Sequence, residues 1–165
     1  MLRFETEADV PFLRRLYVST RWEELAQVPW SDDDKTAFLL QQFDCQRAHY
    51  LTAYSDGEFS IIQSGADAVG RLYVFRSARD IRVVDIAFLP EWRGKGFGTS
   101  LLEALLIEGD GRGALVSVHV EVFNPARRLY ERLGFRIAGE QGPYYLMVRP
   151  PHGATPETMT QANTD

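Results

Sequence analysis

Asp85-Ile-Ala-Phe-Leu-Pro-Glu-Trp-Arg-Gly-Lys-Gly-Phe-Gly-Thr99 passes from an apolar, strand-like run into a loop with glycine at positions 94, 96 and 98. Pro90 ends the strand, and Thr99 to Glu108 reads as a helix carrying Leu101, Leu102, Leu105 and Leu106 on one side. Glycines let a backbone take positive φ and approach a ligand with no Cβ in the way. Consecutive N–H groups in such a turn, continued into a helix N-terminus, form a concave site for a phosphate or diphosphate. Arg93 and Lys95 add positive charge, and Thr99 a hydroxyl. The spacing is neither the GxGxxG of dinucleotide folds nor a P-loop, because no Gly-Lys-Ser/Thr closes it. The plain alternative is a surface loop with helix-capping glycines.

Upstream, Leu2 to Glu5 reads as a first strand. Thr6 and Asp9 then offer caps for a helix bearing Val10, Leu13, Leu16 and Tyr17 at helical spacing. Trp22 to Gln27 forms a second short helix, and Ser31 caps a longer one with Asp32, Asp33 and Asp34 in its first turn. Its inward side is predicted as Phe38, Leu39, Gln42, Phe43 and Cys45. Phe59 to Gln63, Val69 to Arg76 and Ile81 to Leu89 follow as an antiparallel meander. Downstream, Gly109, Gly111 and Gly113 are expected to end the helix. Leu115 to Phe123 is a strand of alternating valines. Pro125 opens a short helix with Ala126, Leu129, Tyr130 and Leu133 on one face, and Gly134 closes it. Phe135 to Ala138 and Tyr144 to Val148 pair around Gly142-Pro143. The fold class is α/β of the α+β type: one mixed, mostly antiparallel sheet of six to seven strands flanked by about four helices.

At 165 residues the chain fits a single domain, read as residues 1–149, followed by a disordered tail over 150–165. No apolar run approaches the ~18–20 residues that span a bilayer, and no signal peptide is apparent. A lone cysteine, Cys45, forbids an intrachain disulfide and suits a reducing, cytoplasmic setting. The net charge of −5 argues against a nucleic-acid partner. Three scattered histidines and one cysteine give no metal-ligand spacing, so no metal site is expected. Oligomeric state stays open, a homodimer included.

The 85–99 run resembles the central signature of the GNAT acetyltransferases, whose pattern Arg/Gln-x-x-Gly-x-Gly/Ala is met by Arg93, Gly96 and Gly98. Downstream, Asn124-Pro-Ala-Arg-Arg-Leu-Tyr-Glu-Arg-Leu-Gly-Phe135 resembles that family's next motif, one helix and one strand later. The resemblance covers about Val69 to Phe135 and implies acetyl-CoA as cofactor. It implies that the backbone of Ile86, Ala87 and Phe88 pairs with the pantetheine arm. The amides of Arg93, Gly94, Lys95, Gly96, Phe97, Gly98 and Thr99 would cradle the diphosphate, with Asn124 and Tyr130 contacting the cofactor.

Moving acetyl from a thioester to an amine needs a neutral amine, a stabilised oxyanion and a protonated leaving thiol. Tyr130, in the position of the family's frequent general acid, has a phenol of ordinary pKa about 10 that can protonate a thiolate of pKa near 8.5. Its plain reading is a core aromatic. His119 is the first candidate base, with Asp85 and Glu121 as runners-up whose alternative is a salt bridge. Family architecture puts the acceptor at the first two helices, where Trp22, Glu23, Glu24 and Trp30 could receive a cationic amine on a small molecule or peptide. The plain reading there is a core Tyr17 and a solvated Glu23–Glu24 face. The expected function is acetyl-CoA-dependent N-acetylation of a primary amine. The competing readings are a non-catalytic acyl-CoA-binding module and, more remotely, a nucleotide phosphate-binding protein.

Overall fold

The computed structural model describes residues 1–152. Seven strands form one mixed, open sheet: β1 (Leu2–Phe4), β2 (Glu58–Ser64), β3 (Asp67–Arg76), β4 (Asp80–Phe88), β5 (Leu115–Glu121), β6 (Arg136–Gln141) and β7 (Tyr144–Arg149), in the order β1-β2-β3-β4-β5-β7-β6. Four helices accompany it: α1 (Val10–Arg21), α2 (Asp32–Ala53), α3 (Phe97–Arg112) and α4 (Arg127–Arg132). Strands β4 and β5 pair in parallel, from Asp80 opposite Leu115 to Val83 opposite Val118. That geometry requires the crossover supplied by α3. The described residues group into two compact units, residues 1–73 with 85–95, and residues 74–84 with 96–152.

In the first unit the start of α1 is pinned by charge. Arg3 donates to both carboxylate oxygens of Asp9, at 2.8 and 2.7 Å, and the Thr6 amide adds a bond at 2.8 Å. The Arg3 guanidinium is the main reason Asp9 is held down to about 2, against the opposing push of its burial. Leu13 and Leu16 are fully buried with Leu39, Phe43 and Ile61, and Tyr17 meets Phe43 edge-on at 5.7 Å. Ser31 caps α2 by accepting from the Asp34 amide at 3.1 Å, as its position in sequence predicts. The inward side of α2 differs from expectation. Leu39, Phe43, Gln46 and Tyr50 turn inward at i, i+4, i+7 and i+11, whereas Phe38, Gln42 and Cys45 are exposed. Two apolar stripes lay close together on this helix, and the core took the one ending on Gln46 and Tyr50.

In the second unit, Val116, Val118, Val120, Ile81, Val83, Leu102 and Met147 make the buried centre. Ser117 is buried as well, so β5 is covered on both faces at its middle. Helix α3 runs through Gly109 and Gly111 and stops at Gly113, at φ 65°. Gly109 is a packing residue instead of a terminator: a Cβ there would lie 2.7 Å from the Ala114 carbonyl oxygen. Strand β5 ends at Glu121, two residues earlier than the valine alternation suggested, and Phe123 is almost fully exposed. Arg149, at the end of β7, pairs with Asp110, which also accepts from the His152 amide at 2.9 Å. The tail expected from Pro150 lies, from residue 153 on, outside the described residues.

Candidate active site

Strand β4 leads into the glycine-rich loop through a 3-10 turn over Pro90–Trp92. Its last residues are set by a close approach of β3, since a Cβ on Gly70 would collide with the Ala87 carbonyl oxygen and press on the Phe88 ring. The Leu89 amide donates to the Val69 carbonyl at 2.9 Å. Ile86, Ala87 and Phe88 follow the last β4–β5 pair at Val83 and are half-buried.

Within the loop Gly94 and Gly96 sit at φ 70° and 85°, where L side chains are strained. A Cβ at either would meet open space, so the demand for glycine comes from conformation and not from crowding. Gly96 is the N-cap of the 16-residue α3 and offers no side chain to its first turn. A helix leaves its first N–H groups without intrahelical acceptors, and Gly96 supplies no side-chain oxygen to cap them. Arg93 is tied back by Nε to the Phe88 carbonyl at 3.0 Å, and Lys95 Nζ stands 5.2 Å from the Trp92 ring centre. The helix dipole and the two cations suit a diphosphate, although the Arg93 amide itself is donated to the Pro90 carbonyl at 3.2 Å.

The catalytic candidates fall in different environments. Asp85 is ion-paired with Arg71, itself only 4% exposed, which also donates to Gln46 at 2.8 Å and lies 4.9 Å from the Tyr73 ring centre. Arg71 Nε has no acceptor among the described residues. Tyr73 donates to Glu5 at 2.5 Å, and burial together with that carboxylate pushes its phenol up. Asp85 therefore belongs to a buried polar cluster. His119, on β5, is half-buried, and burial, then Arg82, push its imidazole below the ordinary value while Asp80 pulls it up. That direction favours the neutral imidazole, the form a base requires. Asp80 itself is raised by burial and accepts from Ser117 at 2.7 Å. Glu121 is half-buried at the end of β5. Tyr130 is buried at 6% exposure with its ring edge-on to Phe135 at 5.4 Å. Asn124 is exposed, and its side-chain oxygen accepts from the Ala126 amide at 2.9 Å, capping the approach to α4.

A cleft of about 860 Å³ opens along one face of α1 in the first unit. It brings Trp22 and Glu23 together with Arg93, joining two predicted acceptor residues to one predicted cofactor residue. Glu24 is instead bonded to Arg21 at 2.9 Å, and Trp30 packs edge-on against Phe38 at 5.4 Å, so neither lines this cleft. Sequence reasoning missed Arg14, Arg15 and Thr36, which do. The signal was present: Pro11, Arg14, Arg15, Val18, Ser19, Trp22 and Glu23 recur at helical spacing as a second stripe beside the core stripe. Among the described residues there is no group of three His, Cys, Asp or Glu able to hold a metal, and no helix long and apolar enough to cross a membrane.

A mixed sheet with a strand–loop–helix junction headed by left-handed Gly94 and Gly96 has the form of a phosphate-binding α/β fold. The family model for the acetyltransferase (GNAT) family matches residues 15–135, and the chain belongs to that family of N-acetyltransferases, which use acetyl-CoA as donor. It is 30% identical over 121 residues to a putative [ribosomal protein bS18]-alanine N-acetyltransferase of Bacillus subtilis, covering 71% of each chain. It is 41% identical over 78 residues to an N-alpha-acetyltransferase of Saccharolobus solfataricus, covering 41% of this chain and 47% of the relative. The fold is similar to that of PaiA N-acetyltransferase from Thermoplasma acidophilum, solved in complex with coenzyme A. That match has TM-score 0.68, 16% identity, and covers 91% of this chain and 98% of the other.

Proposed function

We propose that residues 1–149 form one catalytic domain that moves the acetyl group of acetyl-CoA to the free α-amine of a polypeptide. The observation that carries the donor half is the pair of left-handed glycines, 94 and 96, heading an uncapped helix. For the acceptor half, support comes from the two relatives, named for an alanine and for an α-amine.

When bound, acetyl-CoA supplies an activated thioester. The loop from Arg93 to Thr99 would hold its diphosphate, through amides after Arg93, whose own N–H is donated to Pro90, and the backbone of Ile86 to Phe88 would align its arm as an added strand. A backbone N–H near Phe88 meets the developing oxyanion. His119, its neutral form favoured by burial, accepts the proton of the ammonium, directly or through water. As the new N–C bond forms and the C–S bond breaks, Tyr130 Oη would give its proton to the departing sulfur and regain one from the acylated nitrogen through solvent, so that one proton stays on His119 and one on the thiol. Asn124 contacts the cofactor from the turn before α4. The single exposed thiol, Cys45, fits a cytoplasmic protein.

A thiol-release assay with acetyl-CoA and peptides bearing free or blocked N-termini tests this reading. Turnover on free N-termini alone is expected, and Tyr130→Phe should lower it by roughly 10²–10⁴-fold. An undiminished rate in Tyr130→Phe removes the phenol as acid. The burial of Tyr130 favours a second reading, a non-catalytic acyl-CoA-binding module. Cofactor binding without thiol release on any amine would select it.

A further inference from the structure

The charge in the α1 cleft is the reverse of what a site for a purely cationic amine requires. Its charged lining is Arg14, Arg15 and Arg93 against Glu23 alone. This is a concentration of positive charge in a protein of net charge −5, so it is not a by-product of overall basicity. Arg14 is partly neutralised by Asp44 at 3.2 Å. Arg15 and Arg93 have no carboxylate partner among the described residues. Arg15 rests its guanidinium 5.9 Å from the Phe12 ring centre, and Arg93 uses Nε on the Phe88 carbonyl. Both are exposed, with guanidinium nitrogens to spare. Guanidinium forks match carboxylates in a bidentate way, and charge-assisted bonds of this kind are the strong ones.

Glu23 distinguishes between the two anions that could come here. A phosphate of the donor would gain from the arginines and be repelled by Glu23. An acceptor carrying an ammonium and a carboxylate a few bonds apart gains from both. The volume is at the upper end of clefts that enclose small ligands, enough for several residues of a peptide. Trp22 adds a flat apolar wall on which a peptide backbone can lie.

Building on the acceptor reading above, we propose that this cleft selects polypeptide N-termini with acidic side chains next to the free α-amine, Arg15 and Arg93 receiving the carboxylates and Glu23 the ammonium. Because Arg93 also belongs to the cofactor loop, Arg15 is the residue on which the test turns.

The probes are two synthetic hexapeptides with free N-termini, identical except that Asp and Glu at the second and third positions become Asn and Gln. Their binding is titrated calorimetrically with CoA present, and their turnover is followed separately by thiol release. The acidic peptide should bind about tenfold or more tightly than its neutral twin, with the gap shrinking as salt is raised. Arg15→Gln should bring the acidic peptide close to the neutral value, and Arg15→Lys should restore part of the gap. Equal binding of the twins, or a gap that survives Arg15→Gln, overturns the proposal. So does Arg15→Gln weakening CoA in place of the acidic peptide, because the cleft then serves the donor. Selective binding of the acidic peptide with no acetyl transfer keeps this inference and defeats the catalytic reading instead.

Discussion

Two arginine clusters in the same unit put one side chain to opposite uses. Arg71 is sealed inside, its donors directed to Asp85 and Gln46 and its face to the Tyr73 ring, with Tyr73 in turn bonded to Glu5. Arg15 and Arg93 face an open cleft whose one carboxylate, Glu23, is bonded to neither, beside a loop with left-handed glycines at 94 and 96. In the first cluster the protein supplies partners to the guanidinium end, leaving only Arg71 Nε without an acceptor among the described residues, so most of the cost of desolvating charge is met internally. In the second the partners are absent, and a ligand must bring them. Where charge is unspent is thus a better guide to the site than where charge is most buried.

The sharpest way to break this contrast is to remove a partner on the buried side. Asp85→Ala leaves the Arg71 guanidinium buried beside Gln46 alone and should destabilise the protein by about 3–5 kcal/mol, seen in urea unfolding. A loss below about 1 kcal/mol would mean that the cluster is wetter than its burial suggests. Next comes the pair of glycine classes. Gly70→Ala drives a methyl into the Ala87 carbonyl and should cost about 1–3 kcal/mol of stability without any ligand. Gly96→Ala meets no atom, so its cost is confined to left-handed strain, about 1–2 kcal/mol, and its larger effect should be on CoA affinity. If Gly96→Ala leaves that affinity intact while Gly70→Ala abolishes it, the assignment of roles is reversed.

The smallest expected effect concerns pH. His119 is depressed in the folded state by burial and then Arg82, so folding favours its neutral form. That contribution is complete above the ordinary value of 6.5 and is lost as pH falls through the depressed one. His119→Gln should flatten the acid side of the stability profile between those values. A profile that keeps its slope in the variant would assign the titration to another group, and Asp80, raised by burial, has the opposite dependence.

Much of this was legible in the sequence because local signals agreed with global demands. Ser31 caps its helix, Gly134 and Gly142 take positive φ where the turns were expected, and the strand order along the chain follows the change from period 3.6 to period 2. The loop at 93–99 was readable because glycine there has a conformational cause. Other features depend on partners far away in sequence. The salt-bridge alternative for Asp85 has its partner in Arg71, 14 residues away, which no local pattern reveals. The inward side of α2 was ambiguous between two stripes, and only Gln46 reaching Arg71 distinguishes them. Arg14 and Arg15 drew no reading from the sequence because a cleft is made by what lies opposite, here Thr36 on α2 and Pro90.

The account rests on the amides of residues 94–99 gripping a diphosphate. Titrating the protein with acetyl-CoA and with acetyl-pantetheine, which keeps the thioester and arm but lacks the diphosphate, addresses it directly. Two charge-assisted bonds at about 1.5–3 kcal/mol each predict at least a hundredfold preference for acetyl-CoA, and Gly96→Val should erase most of it. Equal affinity for the two ligands, or a preference unchanged in Gly96→Val, would contradict the account.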